Sequence, residues 1–104
     1  MTSAPTTNKS LEEIIGLLRQ ELPRLREEYA VDNLAVFGSY ARNTQRPTSD
    51  LDILVSFKTA PGLLKYISLE QHLSDLLGIP VDLVMERALK PEIAIRVASD
   101  KKNI

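Results

Sequence analysis

Two aspartates, Asp50 and Asp52, stand two positions apart at the start of an apolar segment, where they could bind a divalent cation. Side chains at i and i+2 of a strand face the same way, so their Cα atoms would lie roughly 6.5–7 Å apart. Carboxylates so placed repel each other unless a cation lies between them, and ligation by oxygen alone suits Mg²⁺ or Mn²⁺. A solvated strand end is the alternative, but the interleaved Leu51 and Ile53 favour a buried strand.

Gly38 and Ser39 form a second candidate group, because they directly follow the apolar run 34–37. Glycine adopts unusual backbone conformations and lets a ligand approach closely. Amide groups at a corner between a strand and a helical turn bind anions, and the serine hydroxyl adds a donor. A Gly-Ser pair alone is more often a plain turn, and the Gly-Lys of a Walker loop is missing downstream. The pair therefore indicates an anion-binding site only when it is considered together with the aspartates.

Asp82 interrupts the apolar segment 81–84, which reads as a short strand. Aspartate is disfavoured in strands, and an unpaired buried carboxylate is costly. Asp82 could instead pair with a nearby arginine or lie on the exposed face of an edge strand. With a carboxylate pair on another strand, it could complete a two-metal site and act as general base on an attacking hydroxyl.

The apolar spacing predicts the elements that must position these residues. A helix opens at a capping box of Ser10 and Glu13 and runs towards Tyr29, with a kink or break expected at Pro23. The other predicted elements are strands over 34–37, 51–57 and 81–84, a helical turn over 39–42, a helix over 63–77 and a short helix opened by Pro91. This order indicates one compact α/β domain over residues 10–104, with residues 1–9 as a disordered tail and Lys101-Lys102 as solvated charge.

Composition excludes several functional classes. Thirteen basic and fourteen acidic residues give a net charge of -1, without the basic footprint of a direct nucleic-acid binder. The absence of cysteine excludes disulfides and zinc-thiolate sites. No apolar run approaches the roughly 20 residues that span a bilayer. We expect a cytoplasmic protein without membrane contact, and a domain of this size is compatible with a hetero-oligomer because it is only marginally stable alone.

The segments FGSYARN, SDLDILV and LLGIPVDLV carry a resemblance to a known family. Gly38-Ser39, ten further residues and then Asp50-Leu51-Asp52 resemble the signature of the DNA polymerase β-like nucleotidyltransferase superfamily. More narrowly, the chain resembles the minimal nucleotidyltransferases (MNT) over residues 11–100. The resemblance implies an α+β nucleotidyltransferase fold, in which a small mixed β-sheet is flanked by helices.

The resemblance also implies a role for each matching residue. Gly38 and Ser39 would hold the β- and γ-phosphates of ATP. Asp50 and Asp52 would coordinate Mg²⁺ or Mn²⁺. Asp82, in the VDL context of the family, would be the third carboxylate of the metal site and the base.

Two further residues lie close to Gly38 and Ser39 in the sequence. Arg42, in the Ala-Arg dipeptide of the family, would steady the phosphates, although a salt bridge to a surface acid is an equal alternative. Asn43 stands where the family usually has glycine. Asparagine tolerates left-handed backbone better than most residues, so we expect the turn to be preserved.

The MNT group comprises antitoxins that are paired with HEPN-domain toxins, and this implies a function. The chain would transfer AMP from Mg-ATP to a tyrosine hydroxyl of its partner toxin. The alternative is a catalytically weak or inactive binding module that neutralises the toxin by contact. A nucleotide-sugar glycosyltransferase with an Asp-x-Asp metal site would need a larger scaffold than 104 residues.

Overall fold

A four-stranded sheet organises the computed structural model, which describes residues 9–104. Its elements in chain order are α1 (Leu11–Tyr29), β1 (Val31–Phe37), α2 (Gly38–Arg42), β2 (Leu51–Phe57), α3 (Leu63–Leu77), β3 (Val81–Met85), α4 (Pro91–Asp100) and β4 (Lys102–Asn103). The strand order is β3-β2-β1-β4, with β2 and β3 parallel and the other pairs antiparallel. The predicted mixed sheet with flanking helices is confirmed.

The two faces of the sheet are covered differently. Helices α1 and α3 pack on one face, where they bury alternate residues of β2 such as Leu51 and Ile53. On the other face, Val97 of α4 packs against Ala35 and Leu54. Because successive strand residues alternate between faces, the even-numbered positions of β2 project away from α1 and α3.

Helix α1 confirms the predicted start but not the predicted interruption. Ser10 and Glu13 form the complete capping box. The expected kink or break at Pro23 is wrong as a break, because one helix continues through Pro23 to Tyr29. The proline removes the amide that would bond the carbonyl of Arg19, and both residues are exposed. Packing of the buried apolar stripe on the core outweighs the lost hydrogen bond.

The strand ends differ from the prediction at two places. Strand β1 begins at Val31, three residues before the predicted start, because Ala30 turns the chain in the left-handed conformation at φ 57°. The segment after Lys101 is not only solvated charge, since β4 pairs with Val36 and Ala35 of β1. A two-residue strand carries no periodic pattern, and its partner is remote in the chain. The pairing was therefore not readable locally.

Most of the predicted N-terminal tail, residues 1–8, lies outside the described residues. Between residues 9 and 104, no helix combines the length and the apolar character required to cross a membrane.

Candidate functional site

Strand register brings two of the three predicted acids side by side. Asp52 of β2 and Asp82 of β3 are direct partners in the parallel pair. Neighbouring strands lie about 4.7–4.9 Å apart, and residues paired in register project to the same face. Asp50 lies just before β2, two positions from Asp52. Asp52 and Asp82 therefore lie together at the start of β2 and β3, on the sheet face opposite α1 and α3, and Asp50 lies close enough for its charge to act on Asp52.

The surroundings of Asp52 raise the pKa of its carboxyl group. Partial burial, followed by the carboxylates of Asp82 and Asp50, raises the pKa of Asp52 above its ordinary value, while the guanidinium of Arg42 acts in the opposite direction. Asp50, Asp52 and Asp82 form a carboxylate patch. Asp50 and Asp82 are both exposed, so that this patch opens to solvent. An incoming cation would relieve the repulsion among the three carboxylates.

Gly38 lies directly against Asp52, so that any larger residue would have to displace the Asp52 carboxylate. Its φ of 74° is in the left-handed region, and a Cβ at this position would lie 2.1 Å from Oδ2 of Asp52. The contact arises because Phe37, the last residue of β1, pairs with Asp52. The chain thus turns into α2 at the edge of the carboxylate patch, and Ser39 follows in the first turn of α2.

The end of α2 is closed by the residue that departs from the family pattern. Asn43 adopts the left-handed conformation at φ 61°, and its amide donates to the carbonyls of Ser39 and Tyr40. The amide of Thr44 also donates to Ser39, at 2.9 Å. The expected tolerance of asparagine at this turn is confirmed.

Arg42 forms a salt bridge with an acid that the sequence had not identified. Its Nη1 lies 3.0 Å from Oδ2 of Asp100, which joins α2 to α4. The salt-bridge alternative is therefore observed. It does not exclude the phosphate role, because the same guanidinium lowers the pKa of Asp52 and half of the Arg42 side chain remains exposed. No spacing rule connects residues 42 and 100, which meet only through the fold.

The donor set fits a hard divalent cation, since the patch offers carboxylate oxygens and a serine hydroxyl. Within residues 9–104, however, no three histidine, cysteine or carboxylate side chains are already gathered closely enough to hold a metal ion. Phosphate oxygens and water would have to complete the coordination. The roles of Asp50, Asp52 and Asp82 as metal ligands stay a prediction, as do the phosphate roles of Gly38, Ser39 and Arg42.

An apolar groove lies along β3. It encloses about 430 Å³ and is lined by residues that include Leu63, Tyr66 and Val84. Leu63 and the neighbouring Leu64 are 72% and 83% exposed.

Comparisons with known proteins agree with this geometry. Residues 17–104 match the nucleotidyltransferase domain family. The protein adenylyltransferase MntA of Thermococcus cleftensis is 49% identical over 85 residues, which are 82% of this chain and 86% of that protein. A Methanocaldococcus jannaschii protein with the provisional name protein adenylyltransferase is 52% identical over 82 residues, 79% of this chain and 84% of its own length.

Solved structures show the same fold. One, provisionally described as a minimal nucleotidyltransferase, has a TM-score of 0.78 and 34% identity, covering 94% of this chain and 99% of its own. A chain of a toxin–antitoxin complex with AMP-PNP has a TM-score of 0.66 and 29% identity, covering 91% and 72%. A chain from the complex of tri-AMPylated Shewanella oneidensis HEPN toxin with MNT antitoxin has a TM-score of 0.57 and 27% identity, covering 89% and 66%.

The family match covers most of the chain, and the curated relatives match over most of their own lengths. Their shared fold places an acid pair next to a Gly-Ser corner in this chain. The chain therefore belongs to the nucleotidyltransferase domain family, in its minimal nucleotidyltransferase group, and is a nucleotidyltransferase.

Proposed function

We propose that this chain transfers AMP from Mg-ATP to a tyrosine hydroxyl of a HEPN-domain partner protein and thereby acts as the antitoxin of a toxin–antitoxin pair. The observation that carries the proposal is the register of Asp52 with Asp82 beside Gly38. Relatives named protein adenylyltransferase, and related solved structures with AMP-PNP and with an AMPylated HEPN toxin, support ATP as donor and such a protein as acceptor. An ATP-dependent reaction also fits the cytoplasmic location predicted from the sequence.

Gly38 and Ser39 would bind ATP, the donor of AMP. Backbone amides at Gly38 and the hydroxyl of Ser39 would donate hydrogen bonds to phosphate oxygens, and glycine allows the close approach. Asp50 and Asp52 would hold Mg²⁺, which when bound neutralises charge on the triphosphate. Arg42 would add a positive charge at the edge of the same patch, where its guanidinium already acts on Asp52.

Asp82 would act on the acceptor. It is exposed and lies on an edge strand, so an approaching protein side chain can reach it. The tyrosine oxygen attacks the α-phosphorus, the bond from the α-phosphorus to the bridging oxygen breaks, and pyrophosphate leaves. Asp82 accepts the phenolic proton in this step. Because the patch opens to solvent, the partner protein would supply the other wall of the site.

The test is label transfer from α-labelled ATP to the purified HEPN-domain partner encoded beside this chain, in Mg²⁺. We expect Asp50→Asn and Asp52→Asn to reduce transfer by about 10³-fold or more, since each removes a charge that holds the donor. Asp75→Asn is the matched control, because Asp75 is an exposed carboxylate whose hydrogen bond is to Gln71 on α3.

The competing function is neutralisation by contact alone. Toxin neutralisation that survives both Asp50→Asn and Asp52→Asn, without label on the partner, would support the binding module and contradict the transferase. Loss of label when the acceptor tyrosine of the partner is replaced by phenylalanine would identify the hydroxyl.

A further inference from the structure

Strand β3, which carries Asp82, is an edge of the sheet. Among residues 9–104 its only strand partner is β2. Backbone groups that point outward from an edge strand need other partners, or they stay open to water and to foreign strands. Val81 and Leu83 point such groups away from β2, and they are the residues on either side of Asp82.

Three side chains of α3 supply the missing partners. The Tyr66 hydroxyl donates to the carbonyl of Leu83. The amide of Leu83 donates to Oε2 of Glu70 at 2.9 Å, and the amide of Val81 donates to Oγ of Ser74 at 3.0 Å. The three side chains are spaced by four residues, so they lie one above another on one face of the helix.

Leu83 is therefore held by both of its backbone groups. It is buried, and Tyr66 and Glu70 are only partly exposed, which limits the competition from water. Burial, and then the carboxylates of Glu70 and Asp82, raises the pKa of the Tyr66 hydroxyl above its ordinary value. The Tyr66 ring is also packed, with its centroid 6.3 Å from that of Phe57.

Asp82 has little of its own to fix its position. Its side chain is exposed, and none of the ion pairs among residues 9–104 includes it. Its place next to Asp52 therefore depends on where the backbone of β3 is held. A displacement of about 1 Å at a reacting group can reduce a rate by about 10²-fold.

We infer that Glu70 and Tyr66 are positioning residues for nucleotide transfer, because they hold Leu83 from the outer edge of the sheet and so keep Asp82 in register with Asp52. This inference rests on the proposed function. This role requires no contact of either residue with the substrate. Their effect passes through the backbone of β3 to the carboxylate that meets the acceptor.

The experiment compares Glu70→Ala, Glu70→Gln and Tyr66→Phe in the full chain, with the HEPN-domain partner as acceptor and below the unfolding temperature of every variant. We expect Glu70→Ala to reduce kcat roughly 10–100-fold. The KM for ATP should stay within about twofold, because the phosphate corner is untouched. Glu70→Gln keeps a carbonyl acceptor for the Leu83 amide and should restore most of kcat. Gln71→Ala is the control on the same helix, since Gln71 is exposed and bonds only within α3.

Hydrogen exchange of the Val81 and Leu83 amides gives a readout that does not need the transfer reaction. We expect faster exchange at Leu83 in Glu70→Ala and near wild-type exchange in Glu70→Gln. Faster exchange with a kcat equal to that of Gln71→Ala would overturn the inference, because Asp82 would then work without the contact. Unchanged exchange would overturn it as well, because the contact would not exist.

Two further results are decisive. If Glu70→Ala does not fold, Tyr66→Phe, which removes the hydroxyl that donates to the Leu83 carbonyl, is judged by kcat and by hydrogen exchange of the Leu83 amide. A wild-type chain that transfers no AMP, but whose Leu83 amide is protected by Glu70, would overturn the proposed function and the positioning role inferred for Glu70 while leaving the contact itself established.

Discussion

At the scale of single residues, Gly38 is the position on which both the fold and the candidate site depend. We expect Gly38→Ala to destabilise the chain by about 1–3 kcal/mol, through its positive φ and the collision with Asp52. Gly16→Ala is the matched control, because outside its chain neighbours and the backbone of α1 no atom lies within 4 Å of its added Cβ. That control should stabilise the chain by about 0.4–1 kcal/mol. Denaturant unfolding measures both, and equal effects would contradict the proposed packing at Gly38.

Asp52 is the residue whose charge the site tolerates least without a cation. Folding raises its pKa above the ordinary 3.8, so the folded chain holds this proton more tightly than the unfolded chain. The stability it contributes is therefore present at low pH and lost as the pH rises through the folded pKa. In EDTA at neutral pH, we expect Asp52→Asn to be more stable than the wild type by roughly 0.2–1 kcal/mol, as for like charges that face each other across strands.

The difference in stability between Asp52→Asn and the wild type should vanish as the pH falls below the folded pKa of Asp52, where the wild-type carboxyl is also neutral. Thermal unfolding of both chains across this pH range measures it, with Asp75→Asn as a charge-matched control. An Asp52→Asn chain that is less stable than the wild type at neutral pH would show that repulsion does not dominate at this position.

At the scale of elements, the salt bridge between Arg42 and Asp100 connects α2 to α4. Two variants separate this role of Arg42 from its predicted role in binding phosphate. The pair is partly exposed, so it should contribute at most about 1 kcal/mol to stability. If Arg42 also binds phosphate, Arg42→Ala should raise the KM for ATP about tenfold, the loss of one charged hydrogen bond. Asp100→Asn frees the guanidinium and should leave that KM unchanged or lower. An equal rise in both variants would assign Arg42 to the salt bridge alone.

At the scale of the whole molecule, a ligand that binds the folded chain but not the unfolded chain raises its stability. At a ligand concentration of 100 times Kd, Mg-AMP-PNP should stabilise the fold by about 2.7 kcal/mol. For a domain of this size that corresponds to a rise in Tm of roughly 10 °C or more. Differential scanning fluorimetry measures the shift. The shift should be lost in Asp52→Asn and kept in Asp75→Asn, and an identical shift in both would place the nucleotide elsewhere.

The sequence by itself determined the parts that local patterns encode. The bounds of β2 and α3 followed from apolar spacing and from the Gly78 end signal, and they are confirmed. The acids and the Gly-Ser corner were identifiable because their residue types contradict a plain apolar strand end. Of the kink or break predicted at Pro23, the break was wrong, because local propensity does not include the packing of a helix on the core.

Only the tertiary structure decided which distant residues meet. The register of Asp52 with Asp82, the bridge from Arg42 to Asp100 and the support of Leu83 by Glu70 each join residues from different elements. Strand pairing and helix docking set these contacts through burial summed over the whole core. No window of neighbouring residues contains that sum, so the sequence named the chemical groups and the fold determined how they are held together.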